Sequence, residues 1–242
     1  MSDNASSADT RKVKGNTFMK DSKFIEAIVE YSEGIMLDHS NPVLYSNRSL
    51  AFLKMDQYFY AMKDAEVTIR LVPEWPKGYY RKGQAEEGAK MYDLAIISYQ
   101  AGLKACSNDE VLQTAMKEAQ IKYRLDLDSK KRKRKKYCVI AALFGVFIVI
   151  ADMFGKPHYS FIKYPWMRFT LISMSGFLGY IFASFLLSLE RSQRASLLQP
   201  PPELMQESAN KPPVAPKNQF TASSSQASHS IGDSTVSHAK TE

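Results

Sequence analysis

YSNRSLAFLKMDQYFYAMKDAEVTIRLVPEWPKGYYRKG, residues 45 to 83, says nearly the same thing at its two ends: YSNRSLA at 45–51 returns as YYRKGQA at 79–85. The interval is 34 residues, and one interval upstream stands RKVKGNT at 11–17. Three segments therefore align, 11–44, 45–78 and 79–112. Small residues recur in register at Gly15, Ser49 and Gly83, at Ala27, Ala61 and Ala95, and at Gly34, Thr68 and Gly102. Small side chains at fixed intervals let neighbouring helices approach closely, and a fixed period of this length is the mark of a stacked repeat architecture.

Within each segment, KDSK, MDQY and AKMY interrupt the apolar periodicity, while Pro42 and Pro73 break the chain between segments. Each unit thus reads as two amphipathic helices around a short turn. The pattern resembles the tetratricopeptide repeat. A single helix pair cannot bury its apolar face, so the stack needs a closing helix. Residues 109–128 supply one, with Asp109 as N-cap and Leu112, Met116, Ala119 and Tyr123 at helical spacing. The expected fold class is all-α: three repeats plus a capping helix in a right-handed superhelix over 11–128, preceded by a disordered N-terminus over 1–10. Cys106, beside the capping junction, reads as a core thiol.

The first helices of such a stack line its concave side, the usual binding surface of solenoids. Asn47 and Arg81 both fall at the third position of their repeats and so stack on adjacent helices. Lys77 lies one helical turn before Arg81, and Lys12 and Asn16 are likewise four apart on one face of the first helix. Five polar donors converge on one groove, three cationic and two amide, with no acid among the five. Such a cluster predicts a ligand bearing carboxylates or phosphates. The stretches KVKGN at 12–16, YSNRS at 45–49 and WPKGYYRKG at 75–83 are similar to the carboxylate clamp of tetratricopeptide co-chaperones, the heat-shock chaperone organising protein family, in its first repeat domain. The resemblance implies that Lys12, Asn16 and Asn47 hold the terminal carboxylate of an Asp, and that Lys77 and Arg81 hold side-chain carboxylates. It also implies the ligand: the Glu-Glu-Val-Asp carboxyl termini of cytosolic seventy- and ninety-kilodalton heat-shock chaperones. The resemblance covers about half of the chain and stops there.

Beyond the repeats the composition changes. The chain of 242 residues carries a formal net charge of +7, but seven basic residues sit together in KKRKRKK at 130–136. Without that run the chain is near neutral, which argues against a nucleic-acid-binding face. Residues 137–154 and 166–189 are apolar runs long enough to cross a hydrocarbon core of about 30 Å, joined by a loop at 155–165. They read as a two-helix transmembrane hairpin. The polybasic segment 129–136 and Arg191 and Arg194 flank it, which places repeats and tail in the cytosol by the positive-inside rule. The polybasic segment doubles as a contact for anionic headgroups. Cys138, at the cytosolic boundary, is a candidate palmitoylation site. Small residues at four-residue spacing, Ala141 and Gly145 in one run and Ser175, Gly179 and Ala183 in the other, suit close helix packing and leave homo-oligomerisation open. Asp152 stands at the end of its run, within reach of the interface. Residues 190–242, rich in Ser, Pro and Gln, read as a disordered tail.

Two separated cysteines give neither a disulfide framework nor a metal site, and the first twenty residues lack the apolar core of a secretory signal. His39, His158, His229 and His238 have no acid or nucleophile paired with them, and neither a phosphate loop nor a cofactor motif appears. The expected protein is therefore no enzyme and needs no cofactor. It is a membrane-anchored co-chaperone that docks heat-shock chaperones at an organelle surface. The other reading left open is a membrane scaffold whose repeats bind a different acidic peptide. The terminal HAKTE, a poor imitation of a dilysine signal, tips the location toward the endoplasmic reticulum over the mitochondrial outer membrane.

Overall fold

Where the first and third repeats carry glycine on their first helix, the second helix answers with a tyrosine. Gly15 lies so close to Tyr31 that a Cβ there would stand 2.5 Å from the ring, and a Cβ at Gly83 would run into the Tyr99 ring. The second repeat has Ser49 and Ala65 at these positions, and both are fully buried. There the Ser49 hydroxyl fills the space, donating to the Ala61 carbonyl at 2.8 Å. A second exchange runs the other way: Gly34 packs against Leu44 and Gly102 against Leu112, but in the middle repeat Thr68 packs against Gly78. Each contact is closed by a small residue on one helix and whatever side chain the facing helix supplies, as close packing requires.

The computed structural model describes residues 2–106, 109–154 and 165–202, which form helices α1 (Ser2–Lys20), α2 (Phe24–Leu37), α3 (Pro42–Lys54), α4 (Tyr58–Leu71), α5 (Pro76–Gly88), α6 (Tyr92–Ala105), α7 (Glu110–Phe154) and α8 (Pro165–Ser196). Helices α1 to α6 are the three expected pairs. Each pair turns at the same repeat position, where Ser22, Asp56 and Lys90 take left-handed φ values of 59°, 57° and 59°. Between pairs, Pro42 and Pro76 each open a helix, where a missing N–H costs nothing. Asn41 caps α3 by accepting from the Val43 amide at 3.1 Å. Asp109 does the same for α7, accepting from the Leu112 amide at 2.7 Å.

In the stack, α1 meets α3, α3 meets α5 and α5 meets α7, while α2, α4 and α6 pack outside them. This is the tetratricopeptide arrangement. Its core has a cluster around Ala27, Tyr31, Ile35 and Leu44 and another around Ala95, Tyr99, Leu112 and Ala119. Burying each large apolar side chain contributes about 1.5–3 kcal/mol.

Four expectations change. The segment 1–10, expected to be disordered, is helical from Ser2 onward and continues into the first repeat. The capping helix, the basic run and the first apolar run are not separate segments, because α7 is one helix of 45 residues through all three. The tail does not begin at 190: α8 continues to Ser196 and turns back onto the repeat domain. There Arg194 bonds Asp126 at 3.1 Å and Glu190 at 2.6 Å, while Arg191 reaches Asp93 at 2.9 Å. Burial raises the Asp126 pKa, but hydrogen bonds from Lys130 and Arg194 more than reverse this and leave it lowered. Lastly, Cys106 is only half-buried, its thiol on the Glu74 carbonyl, because α6 ends at Ala105 and leaves it at the rim. Most of the connecting loop, His158, and the chain from 203 on lie outside the described residues.

The second half of α7 runs antiparallel to α8. Tyr137 and Phe182 rings meet at 6.3 Å, Ala141 faces Gly179, and Gly145 faces Ser175. The small residues read from the sequence thus face each other within the chain, with Ala183 fully buried. This register sets Phe182 beside the first residue of the first apolar run, so residues 183–189 lie alongside the basic segment. Both helices are long and apolar enough to cross a membrane. Only 11% of each apolar stretch is buried, unlike the core-facing helices of the repeats.

Candidate peptide-binding groove

The five residues singled out above stand on the three inner helices: Lys12 and Asn16 on α1, Asn47 on α3, and Lys77 and Arg81 on α5. Helix α3 touches both α1 and α5, so Asn47 lies on the element between the other two pairs.

Asn16 and Asn47 meet directly. The Asn16 side-chain oxygen accepts from Asn47 Nδ2 at 3.1 Å and from the Tyr31 hydroxyl at 2.8 Å. With its oxygen doubly engaged, the Asn16 amide has its NH2 group left to donate. Burial pushes the Tyr31 hydroxyl up to about 12, so it remains a donor across the physiological range. The packing tyrosine that fits over Gly15 therefore also orients Asn16.

Lys77 and Arg81 are a different case. Burial lowers the Lys77 pKa, and the neighbouring Arg81 charge lowers it further. Burial lowers Arg81 as well. Arg81 donates from Nη1 to the Gln84 side chain at 2.7 Å, but its Nε is buried without a hydrogen-bond partner. The two cations stack instead on aromatic faces, Lys77 at 5.4 Å from the Trp75 ring centre and Arg81 at 5.7 Å from that of Tyr80. Two like charges held together, partly desolvated and, among the described residues, without an acid between them, are an arrangement that an anion would stabilise.

Lys12 is not free of acids. Its ammonium pairs with Asp9 at 2.5 Å, one turn earlier on α1. That contact exists because α1 begins well before the first repeat.

Beside Arg81 the groove opens into a cavity of about 410 Å3 lined by Leu53, Lys54, Tyr80, Gln84, Glu87 and Lys122, among others. The sequence reading passed over these residues, although the signal was present. Gln84 occupies in the third repeat the position that Asn16 holds in the first, and Leu53 and Glu87 share the position one turn later. Lys122 and Glu87 form an ion pair across the cavity wall. Elsewhere the most perturbed acid is Glu86, pushed up to about 7 by burial, with Ser98 beside it opposing the shift. It packs between α4 and α6 rather than in the groove. Among the described residues no group of three or more His, Cys, Asp or Glu is placed to hold a metal.

The fold and the ridge of donors define a tetratricopeptide-repeat domain. It is similar to the repeats of Hsp70-Hsp90 organizing proteins: the chain is 39% identical over 112 residues to that of Triticum aestivum, covering 46% of this chain and 19% of the relative. To the Hsp70-Hsp90 organising protein of Plasmodium falciparum it is 37% identical over 113 residues, 47% of this chain and 45% of that one. The chain thus spans less than half the length of either relative. Among solved structures, the first TPR domain of human RPAP3 aligns with a TM-score of 0.48 and 27% identity, over 51% of this chain and 97% of that one. No family model matches the chain.

Proposed function

We propose that the protein is a non-enzymatic, membrane-anchored adaptor whose groove takes the acidic carboxyl-terminal peptide of seventy- and ninety-kilodalton heat-shock chaperones. The observation that carries the reading is the Lys77 and Arg81 pair, partly desolvated and, among the described residues, without an anionic partner, with Arg81 Nε left unbonded. An acidic peptide supplies what is missing: carboxylates for Lys77 and Arg81, and a chain-terminal carboxylate for Lys12, the Asn16 NH2 group and Asn47. Residues upstream in the peptide then reach the cavity beyond Gln84. The names of the sequence relatives, organisers of Hsp70 and Hsp90, support chaperones as the source of that peptide.

Helices α7 and α8 serve as the anchor. Their outward faces carry exposed Ile140, Leu143, Phe144, Phe147, Phe169 and Phe177, a surface suited to lipid and not to water. The antiparallel register returns α8 to the repeat domain, which supports repeats and tail on one side of the membrane, the cytosolic one. The organelle we propose is the endoplasmic reticulum.

The test is calorimetry on the full chain in detergent with a peptide ending Glu-Glu-Val-Asp and with its C-terminal amide. Binding that drops at least tenfold on amidation is expected. Equal binding of the two would mean that the groove reads general acidity and not a chain end. Protease added to intact microsomes should remove both repeats and tail, and a protected tail would overturn the hairpin.

A further inference from the structure

On α7 the residues of the basic run divide by their partners. Lys130 pairs with Asp126 at 2.6 Å and Lys133 with Glu190 at 3.2 Å, so these two charges are neutralised. Lys131, Arg134 and Lys135 follow a different stripe, which continues one turn on into Cys138 and Val139 (helical spacing of three and four). With Tyr180 of α8 as a side wall, these residues line a notch of about 490 Å3.

The notch has two chemically distinct ends. At its upper end Arg134 points Nη1 at the Tyr180 hydroxyl at 3.5 Å and lies 5.9 Å from that ring, and among the described residues neither Arg134 nor Lys135 has an acidic partner. Lys131 has only a distant exposed one, Asp128 at 3.8 Å. Glu190, the one acid of α8 near this level, is already held by Lys133 and Arg194. The Tyr180 hydroxyl accepts from Arg134 and keeps its proton to donate. At its lower end the notch is floored by half-buried Cys138 and exposed Val139.

From this polarity we infer that the notch is a binding site for a single anionic phospholipid, a site that rests on the membrane reading of α7 and α8. Its phosphate sits among Lys131, Arg134, Lys135 and the Tyr180 hydroxyl, and an acyl chain lies over Cys138 and Val139. Three cations favour a headgroup that stays net negative beyond its phosphate and disfavour a choline, whose own positive charge they repel.

The full chain is placed in nanodiscs of phosphatidylcholine and phosphatidylserine in equal amounts, and the lipids it keeps on release are counted by native mass spectrometry. The wild type retains one phosphatidylserine in preference to phosphatidylcholine. Replacing Arg134→Gln with Lys135→Gln lowers that preference roughly tenfold or more. Arg132→Gln with Lys136→Gln, which removes the same charge from the same run but outside the notch, leaves it nearly intact. Tyr180→Phe, which alters neither charge nor topology, weakens retention by a smaller factor. Equal losses in the two double variants would overturn the site in favour of a diffuse basic surface. Displacement of the lipid by inorganic phosphate would show a free-phosphate site instead. A chain that keeps neither lipid and stays soluble without detergent would remove the membrane reading, and the site with it.

Discussion

Helices α1 and α5 bring comparable donors to the same groove but hold them in opposite ways. On α1 every ligand-facing group already has a partner: Lys12 has Asp9, and Asn16 has Tyr31 and Asn47. On α5 the cations lean on aromatic rings and on one amide, and a buried Nε goes unbonded. Helix α1 is thus oriented by the fold, whereas α5 stores an unmet demand for negative charge. In the proposed complex, groups of the first kind contribute to stability and to binding together, and groups of the second kind contribute to binding at some expense of stability.

The largest effect is expected at Arg81. Arg81→Ala should cost about ten- to a hundredfold in affinity for the acidic peptide, as removal of a charged hydrogen bond usually does. The free protein should melt at the same temperature or slightly higher, since a desolvated charge and its repulsion of Lys77 both disappear. Calorimetry and thermal denaturation on the same preparation check both halves. A large loss of stability would make Arg81 a structural residue.

Asn16→Ala should separate the helices from the other side. It removes the acceptor of the buried Tyr31 hydroxyl, so a destabilisation of about 1–2 kcal/mol should accompany a roughly tenfold loss of affinity. A binding defect without any fall in melting temperature would show that Tyr31 finds another partner and that α1 is not held as described.

The pH dependence of binding has a smaller amplitude. Burial and the Arg81 charge lower the Lys77 pKa in the free protein, and a bound carboxylate raises it again. Binding therefore takes up protons on the alkaline side, and affinity falls as pH rises toward the lowered pKa, before an ordinary lysine would titrate. A loss of about two- to fivefold is expected as the pH is raised to just below the range where an ordinary lysine titrates, absent in Lys77→Arg. Calorimetry in buffers of different ionisation enthalpy reads the proton uptake directly.

The repeats were legible because a period of 34 residues survives any local ambiguity, and the positions of Asn47 and Arg81 followed from counting. The compensating exchanges of Gly for Tyr and Gly for Leu were not, because they depend on which side chain of a neighbouring helix fills a shared space. Nor was the register of α7 on α8. Apolar composition marks two runs, but only the facing of Gly145 with Ser175 and of Asp126 with Arg194 sets the basic segment beside residues 183–189. Arg194 looked like a flanking charge, and its ion pairs with Asp126 and Glu190 could not be read from spacing. The state of Lys77 and Arg81 was half visible: two neighbouring cations are in the sequence, their burial is not.

Asp9 was hidden for a related reason. Counting repeats starts the helix at residue 11, which leaves Asp9 in a segment with no assigned structure. The helix in fact begins at Ser2, and that puts Asp9 one turn before Lys12 and its carboxylate 2.5 Å from the ammonium. A peptide carboxylate bound by Lys12 competes with this internal one. The pair is largely exposed on the Asp9 side, so its worth is about 0.2–1 kcal/mol. Asp9→Asn should accordingly tighten the peptide by up to about fivefold, the smallest of these effects and the only one that improves binding. The gain should shrink at high salt, where an exposed pair is screened in both states. It should vanish in Lys12→Ala, because the competition needs the ammonium. Measured by calorimetry, a tightening that persists without Lys12 would mean that Asp9 acts on the peptide by long-range repulsion. No tightening at all would mean that Lys12 keeps Asp9 as its partner in the complex, leaving the chain-terminal carboxylate to the amides of Asn16 and Asn47.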